Sequence, residues 1–147
     1  PTRVGPREIV MTPDSPAHIL RQLALDLGVA TSEECYAGYL PERDGTTFAM
    51  FDVPGLMDGR LHESGETIQH PGVQIRVRAD RARTAWQRLE AMLEAFDAVT
   101  RRPVTTDAGT WIVLAVTRRS GTFALGPDPE DPRGRHHYTA TVTLSLD

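Results

Sequence analysis

The stretch His70–Val99, HPGVQIRVRADRARTAWQRLEAMLEAFDAV, carries two hydrophobic periods in succession. Val73, Ile75 and Val77 alternate with Gln74, Arg76 and Arg78, the two-residue period of a strand with one apolar face. After Asp80 the spacing lengthens. Ala82, Ala85, Trp86, Leu89, Met92, Leu93, Phe96 and Val99 recur every three or four residues and predict one buried stripe along a helix. Asp80 is the expected N-cap, because its carboxylate can accept the free N–H groups of the first turn. A strand running straight into a long amphipathic helix predicts a sheet with that helix across it.

Working outward, the segment DSPAHILRQLALDLG (14–28) has the signature of a compact helix. Asp14 or Ser15 can cap it, Pro16 suits its first turn and Gly28 can end it. Ile19, Leu20, Leu23 and Leu27 form its expected buried stripe. The three prolines of residues 1–13 predict an extended lead-in. CYAGYLP (35–41) reads as a short extended piece before a turn at 42–45. TTFAMFDVPG (46–55) reads as a strand with Phe48, Met50 and Asp52 on one face. Residues 54–72 show no clear period and read as a long loop.

Beyond the central helix, residues 100–109 read as a turn-rich connection and TWIVLAVTRR (110–119) as a β-branched strand. Residues 119–135 are an expected second long loop. Its part GPDPEDPRG (126–134) holds three prolines and three acids, which argues against regular structure. The last stretch, HYTATVTLSL (137–146), alternates cleanly. The whole predicts one α+β domain over 1–147, a mostly antiparallel sheet with two main helices packed on one face.

Composition narrows the function. The chain has 147 residues, 39% hydrophobic and 24% charged, as a globular domain does. Its net charge of −4 argues against a protein whose main work is gripping nucleic acid. All 16 basic residues are arginines. Planar, bidentate guanidinium groups suit polar subunit interfaces, and a genome's base composition explains the bias equally well. Cys35 is the only cysteine, so neither an intrachain disulfide nor a cysteine metal cluster is expected. No apolar run of about 18 residues is present. The opening PTRVGPREIV lacks a signal peptide's apolar core, so assembly in a cytoplasm-like compartment is expected.

The chemistry-bearing residues are sparse. His136 and His137 are adjacent on a strand, point to opposite faces and cannot easily share a metal. His62 and His70, with Glu63 and Glu66, are either a metal site or solvated loop residues. No glycine cluster joins a strand to a helix start, and no serine has a nucleophile-elbow context. Glu33 and Glu34 disfavour a Cys35 thiolate. Arg76 and Arg78 share one strand face, to be solvated, paired with neighbouring acids or used in recognition.

Three segments carry a resemblance: PGVQIRVRAD, the helix ARTAWQRLEAMLEAF, and FALGPDPEDPRGRHHYTATVTLSL. With SPAHILRQLALDLG and FAMFDVPG ahead of them, this ordered set resembles the minor capsid or tail-terminator (tail-completion) proteins of long-tailed bacteriophages, from about Asp14 onward. The resemblance implies an α+β structural virion protein and not an enzyme. It implies no catalytic residue, cofactor or metal. Members form a ring, typically hexameric, at the head-proximal end of the tail. The ring stops tail-tube polymerisation and meets the head connector, while DNA only passes through its lumen. Partners would then be copies of the chain, the tail-tube protein and the connector, with no membrane. A prophage-derived gene-transfer particle would use the same design.

A ring needs one patch of a subunit to meet a different patch of the next. Arg76, Arg78, Arg81 and Arg83 form a basic stretch, and Asp128, Glu130 and Asp131 form an acidic loop. Their pairing across a subunit boundary is the expected interface, which would set register. Strand edges could pair across subunits as well, and the two long loops would order on assembly. Two other classes compete: a small ligand- or metal-binding enzyme domain using His62 and His70, and a nucleic-acid module using the four arginines.

Overall fold

The computed structural model describes residues 14–57, 69–127 and 131–147. The lead-in 1–13 and residues His62, Glu63, Glu66, Asp128 and Glu130 lie outside the described residues. In chain order the elements are α1 (Pro16–Asp26), β1 (Cys35–Ala37), β2 (Thr47–Met57), β3 (Gln69–Ala79), α2 (Ala82–Asp97), β4 (Arg102–Thr106), β5 (Gly109–Arg118), β6 (Phe123–Pro127) and β7 (His136–Leu146). The architecture is α+β. One curled sheet runs β1-β2-β3-β7-β5-β4, and β6 adds to β7. Among the described residues only the β1–β2 pair is parallel; the other pairs are antiparallel.

The alternation read from β3 places its two flanks correctly. Val73, Ile75 and Val77 stand opposite Val142, Ala140 and Tyr138 of β7, while Ile75 and Val77 face Met50 and Phe48 of β2. These side chains share one core cluster with Ile19, Leu20 and Leu23 of α1 and Leu89, Met92, Leu93 and Phe96 of α2. α1 lies against β1 to β4, and α2 against β3, β5 and β7. Asp52 leaves the apolar run to serve α1, accepting the Ala17 N–H at 2.9 Å. A carboxylate there meets the positive end of the helix dipole.

Helix ends follow local chemistry, with one correction. Ser15 caps α1, accepting the His18 N–H, Pro16 opens it, and Gly28 at φ +74° follows its C-cap Leu27. Leu27 is half-buried and packs on the margin of the core. Asp80 is not the N-cap of α2. That position is Arg81, without a side-chain cap hydrogen bond, and the Asp80 carboxylate lies 3.6 Å from the Arg133 guanidinium instead. Trp86 is also not in the buried stripe, being 44% exposed. It follows Ala85 by about 100° around the helix, at the edge of the stripe. There its ring meets that of Tyr138 edge-on, with centroids 6.0 Å apart.

The expected loops are shorter than predicted, because strand pairing claims their ends. β2 continues to Met57 and β3 begins at Gln69, with a bulge between Val53 and Leu56. Gly72 is required at this bulge, since a Cβ would stand 2.6 Å from the Pro54 carbonyl oxygen. Residues 100–109 contain β4, whose fully buried Val104 pairs with Trp111 of β5. The 119–135 segment contains β6, which pairs with β7 and includes Gly126 and Pro127. Proline is tolerated there because β6 is an edge strand.

Candidate functional site

The polar flank of β3 leads into a cleft of about 260 Å³. Register sets Arg78 opposite Thr47 and His137, and Arg76 opposite Ala49 and Thr139. Both arginines therefore leave the same face of a central strand. The cleft is lined by Leu40 and Glu42 from the β1–β2 connection, Arg76 and Arg78, Asp131, Pro132 and Arg135 ahead of β7, and His137.

Arg78 is buried, with 4% of its surface exposed. Its Nη2 donates to the Pro41 carbonyl at 2.6 Å and to the Arg43 carbonyl at 3.4 Å. Burial, and then the Arg135 cation, pull its pKa below the ordinary arginine value. Arg135 is equally enclosed. Its Nε and Nη2 hold Asp131 in a bidentate pair, Nη2 also donates to Glu42 at 2.8 Å, and Nη1 reaches the Arg43 carbonyl at 3.2 Å. The Arg135 hydrogen bonds hold the Asp131 and Glu42 carboxyls below the usual range, Asp131 very far below. Hydrogen bonds from Asp131 and Glu42 push the Arg135 pKa up in return. Segment 41–43 is thus pinned by two buried guanidiniums. Arg133 adds an outer clamp, donating to Asp44 at 2.6 Å.

Arg76 differs from these neighbours. It is half-buried and its guanidinium stands 5.9 Å from the Phe51 ring centroid, within cation–π reach. Among the described residues it forms no ion pair, and its Nε, like that of Arg78, is buried without a hydrogen-bond partner.

The structure divides the residues singled out from sequence. Arg76, Arg78 and Asp131 come together, inside a single chain. Arg81 and Arg83 are exposed at the start of α2 and do not line the cleft. Asp131 is engaged by Arg135 of its own chain at 2.7 Å. His70 makes a 3.0 Å hydrogen bond to Ser145 across β3 and β7. His136 and His137 sit opposite Ala79 and Arg78 respectively. Among the described residues no group of three His, Cys, Asp or Glu could hold a metal ion. Cys35 is fully buried, and burial pushes its thiol up to about 12.

Sequence reading missed Arg135 and Glu42. The only hint was the R-G-R spacing at 133–135, where a glycine at φ +62° swings two arginines to separate acids.

A second feature lies at the sheet boundary. Among the described residues β6 pairs on one side only, with β7. Edge strands are ordinarily blunted by shortness, charge or proline. β1 has three residues and β4 carries Arg102 and Pro103; β6 is also short and ends on Pro127, but it carries no charge and exposes Phe123 (50%) and Leu125 (45%). On the far side of β3 from β7 and β6, β1 covers only residues 48–50 of β2, leaving Phe51–Met57 without an outer partner among the described residues.

No family model matches the chain, and a search of the curated proteins finds no match either. Among the described residues no helix is long and apolar enough to cross a membrane.

Proposed function

We propose that the chain is a structural virion protein of the tail-terminator class, and not an enzyme. In this reading copies of it form a ring, expected to be hexameric, at the head-proximal end of a phage or gene-transfer-particle tail. The ring stops polymerisation of the tail-tube protein and joins the tail to the head connector, and DNA only passes through its lumen. In this reading both helices pack on one face of the sheet, so that sheet edges are left for neighbours. The observation that carries the reading is the edge of β6, apolar and unpaired among the described residues.

A neighbouring copy is the partner that edge suits best, because the β2 side of the same sheet has an edge left uncovered by the described residues. β6 of one subunit adding to β2 of the next is a head-to-tail contact, and such contacts close into rings when the rotation fits. The exposed Arg81 and Arg83, with Asp128 and Glu130, supply the charged part of the boundary. Arg78 and Asp131 act instead by holding the subunit together.

Sedimentation of the purified protein, alone and with its tail-tube partner, tests this. The parent should run as a ring-sized species, and Phe123→Arg with Leu125→Arg should run as a monomer with an unchanged circular dichroism spectrum. A parent that stays monomeric at high concentration, and also with tubes present, would sink the proposal.

A further inference from the structure

The cleft lining holds three arginines, Arg76, Arg78 and Arg135, against two acids, Glu42 and Asp131. Arg135 satisfies both acids directly. Arg78 spends Nη2 on two backbone carbonyls, which are neutral. The cleft therefore keeps an excess of positive charge centred on Arg76 and Arg78. Buried guanidinium donors are ordinarily paired, since an unpartnered charged donor forfeits its hydration without return. Here two neighbouring cations of one strand face share a cavity, and among the described residues neither is ion-paired to a carboxylate.

From this geometry we infer that the cleft is a binding site for a single small oxyanion, a phosphate or carboxylate group held between Arg76 and Arg78. Guanidinium presents planar, forked donors that match such groups, and charge-assisted hydrogen bonds of this kind are the strong ones. The size and the acids set the class of ligand. A space of about 260 Å³ is ample for one such group. Glu42, largely exposed at the rim, and Asp131 would repel a second negative charge. The Phe51 ring lies 5.9 Å from the Arg76 guanidinium on the β2 side, at the outer reach of a cation–π contact. The bound anion would join β3 to the loops at 41–43 and 131–135, which already converge there. The site stands independently of ring formation, because all of its groups come from one chain.

The experiment is a titration of the full chain with inorganic phosphate, and separately with acetate, at ionic strength held constant with chloride. A ligand that binds only the native state raises Tm saturably. The parent should show a saturable rise of a few degrees with phosphate, and its titration should broaden the phosphorus resonance of the ligand. Arg76→Gln, checked for fold by circular dichroism, should lose both effects. Arg81→Gln, outside the cleft, should keep them. Two results would overturn the site: no saturable effect beyond the chloride control in the parent, or an undiminished effect in Arg76→Gln. Loss of assembled mass in Arg76→Gln with no response of the parent to phosphate or acetate would also overturn it. The arginine would then be serving a carboxylate of another subunit.

Discussion

Arg135 and Asp131, four residues apart, form a side-on bidentate pair of 2.7 and 3.1 Å, with both side chains only 4% exposed. The pair closes the loop ahead of β7 and, through Glu42 and the Arg43 carbonyl, ties it to the β1–β2 connection. Such pairs are costly to break singly, because one charge is then left buried without a partner.

The acid limb of stability should therefore depend on Asp131. Its folded carboxyl is held far below the ordinary value by Arg135. A depressed carboxylate contributes stability that is fully present above its unfolded pKa, about 3.9, and is lost as pH falls toward the folded value. Asp131→Asn should be less stable than the parent at neutral pH, with the gap closing below about pH 4. Urea midpoints measured from neutral to strongly acidic pH check this. Curves that stay parallel would show that the pair is not linked to folding.

Helix α2 offers a contrast between two positions that look alike in sequence. Leu89 and Leu93 are fully buried, whereas Trp86 is 44% exposed. Leu89→Ala or Leu93→Ala should cost about 2–5 kcal/mol. Trp86→Ala should cost about 1 kcal/mol, since it loses chiefly an edge-on aromatic contact with Tyr138. Denaturant unfolding of the three variants decides between the observed packing and a stripe that buries Trp86.

At the β2–β3 bulge, Gly72→Ala should destabilise by about 1–3 kcal/mol, as overpacking does. The added Cβ would meet the Pro54 carbonyl at 2.6 Å, and backbone cannot swing aside as a side chain can. Gly121, with open space around it, is the control, and Gly121→Ala should stay within about half a kcal/mol. Equal thermal midpoints for the two variants would contradict the close approach.

The residues themselves determined the elements whose period is local. β3 and β7 alternate because successive side chains on a strand point to opposite sides. α1 and α2 show their three- and four-residue steps because a helix turns every 3.6 residues. Ser15, Pro16 and Gly28 marked the ends of α1 through chemistry confined to a few neighbours. Tertiary structure decided the rest. β4 and β6 exist because a partner strand supplies hydrogen bonds that their Arg-, Gly- and Pro-rich sequences do not advertise. Asp80 lost the cap of α2 to a contact with Arg133, far along the chain. The cleft is the clearest case. Glu42 and Arg135 are 93 residues apart, and their 2.8 Å contact depends on where the sheet brings two loops together. Charge on a sequence says that a partner is needed, and only the fold settles whether that partner lies in the same chain.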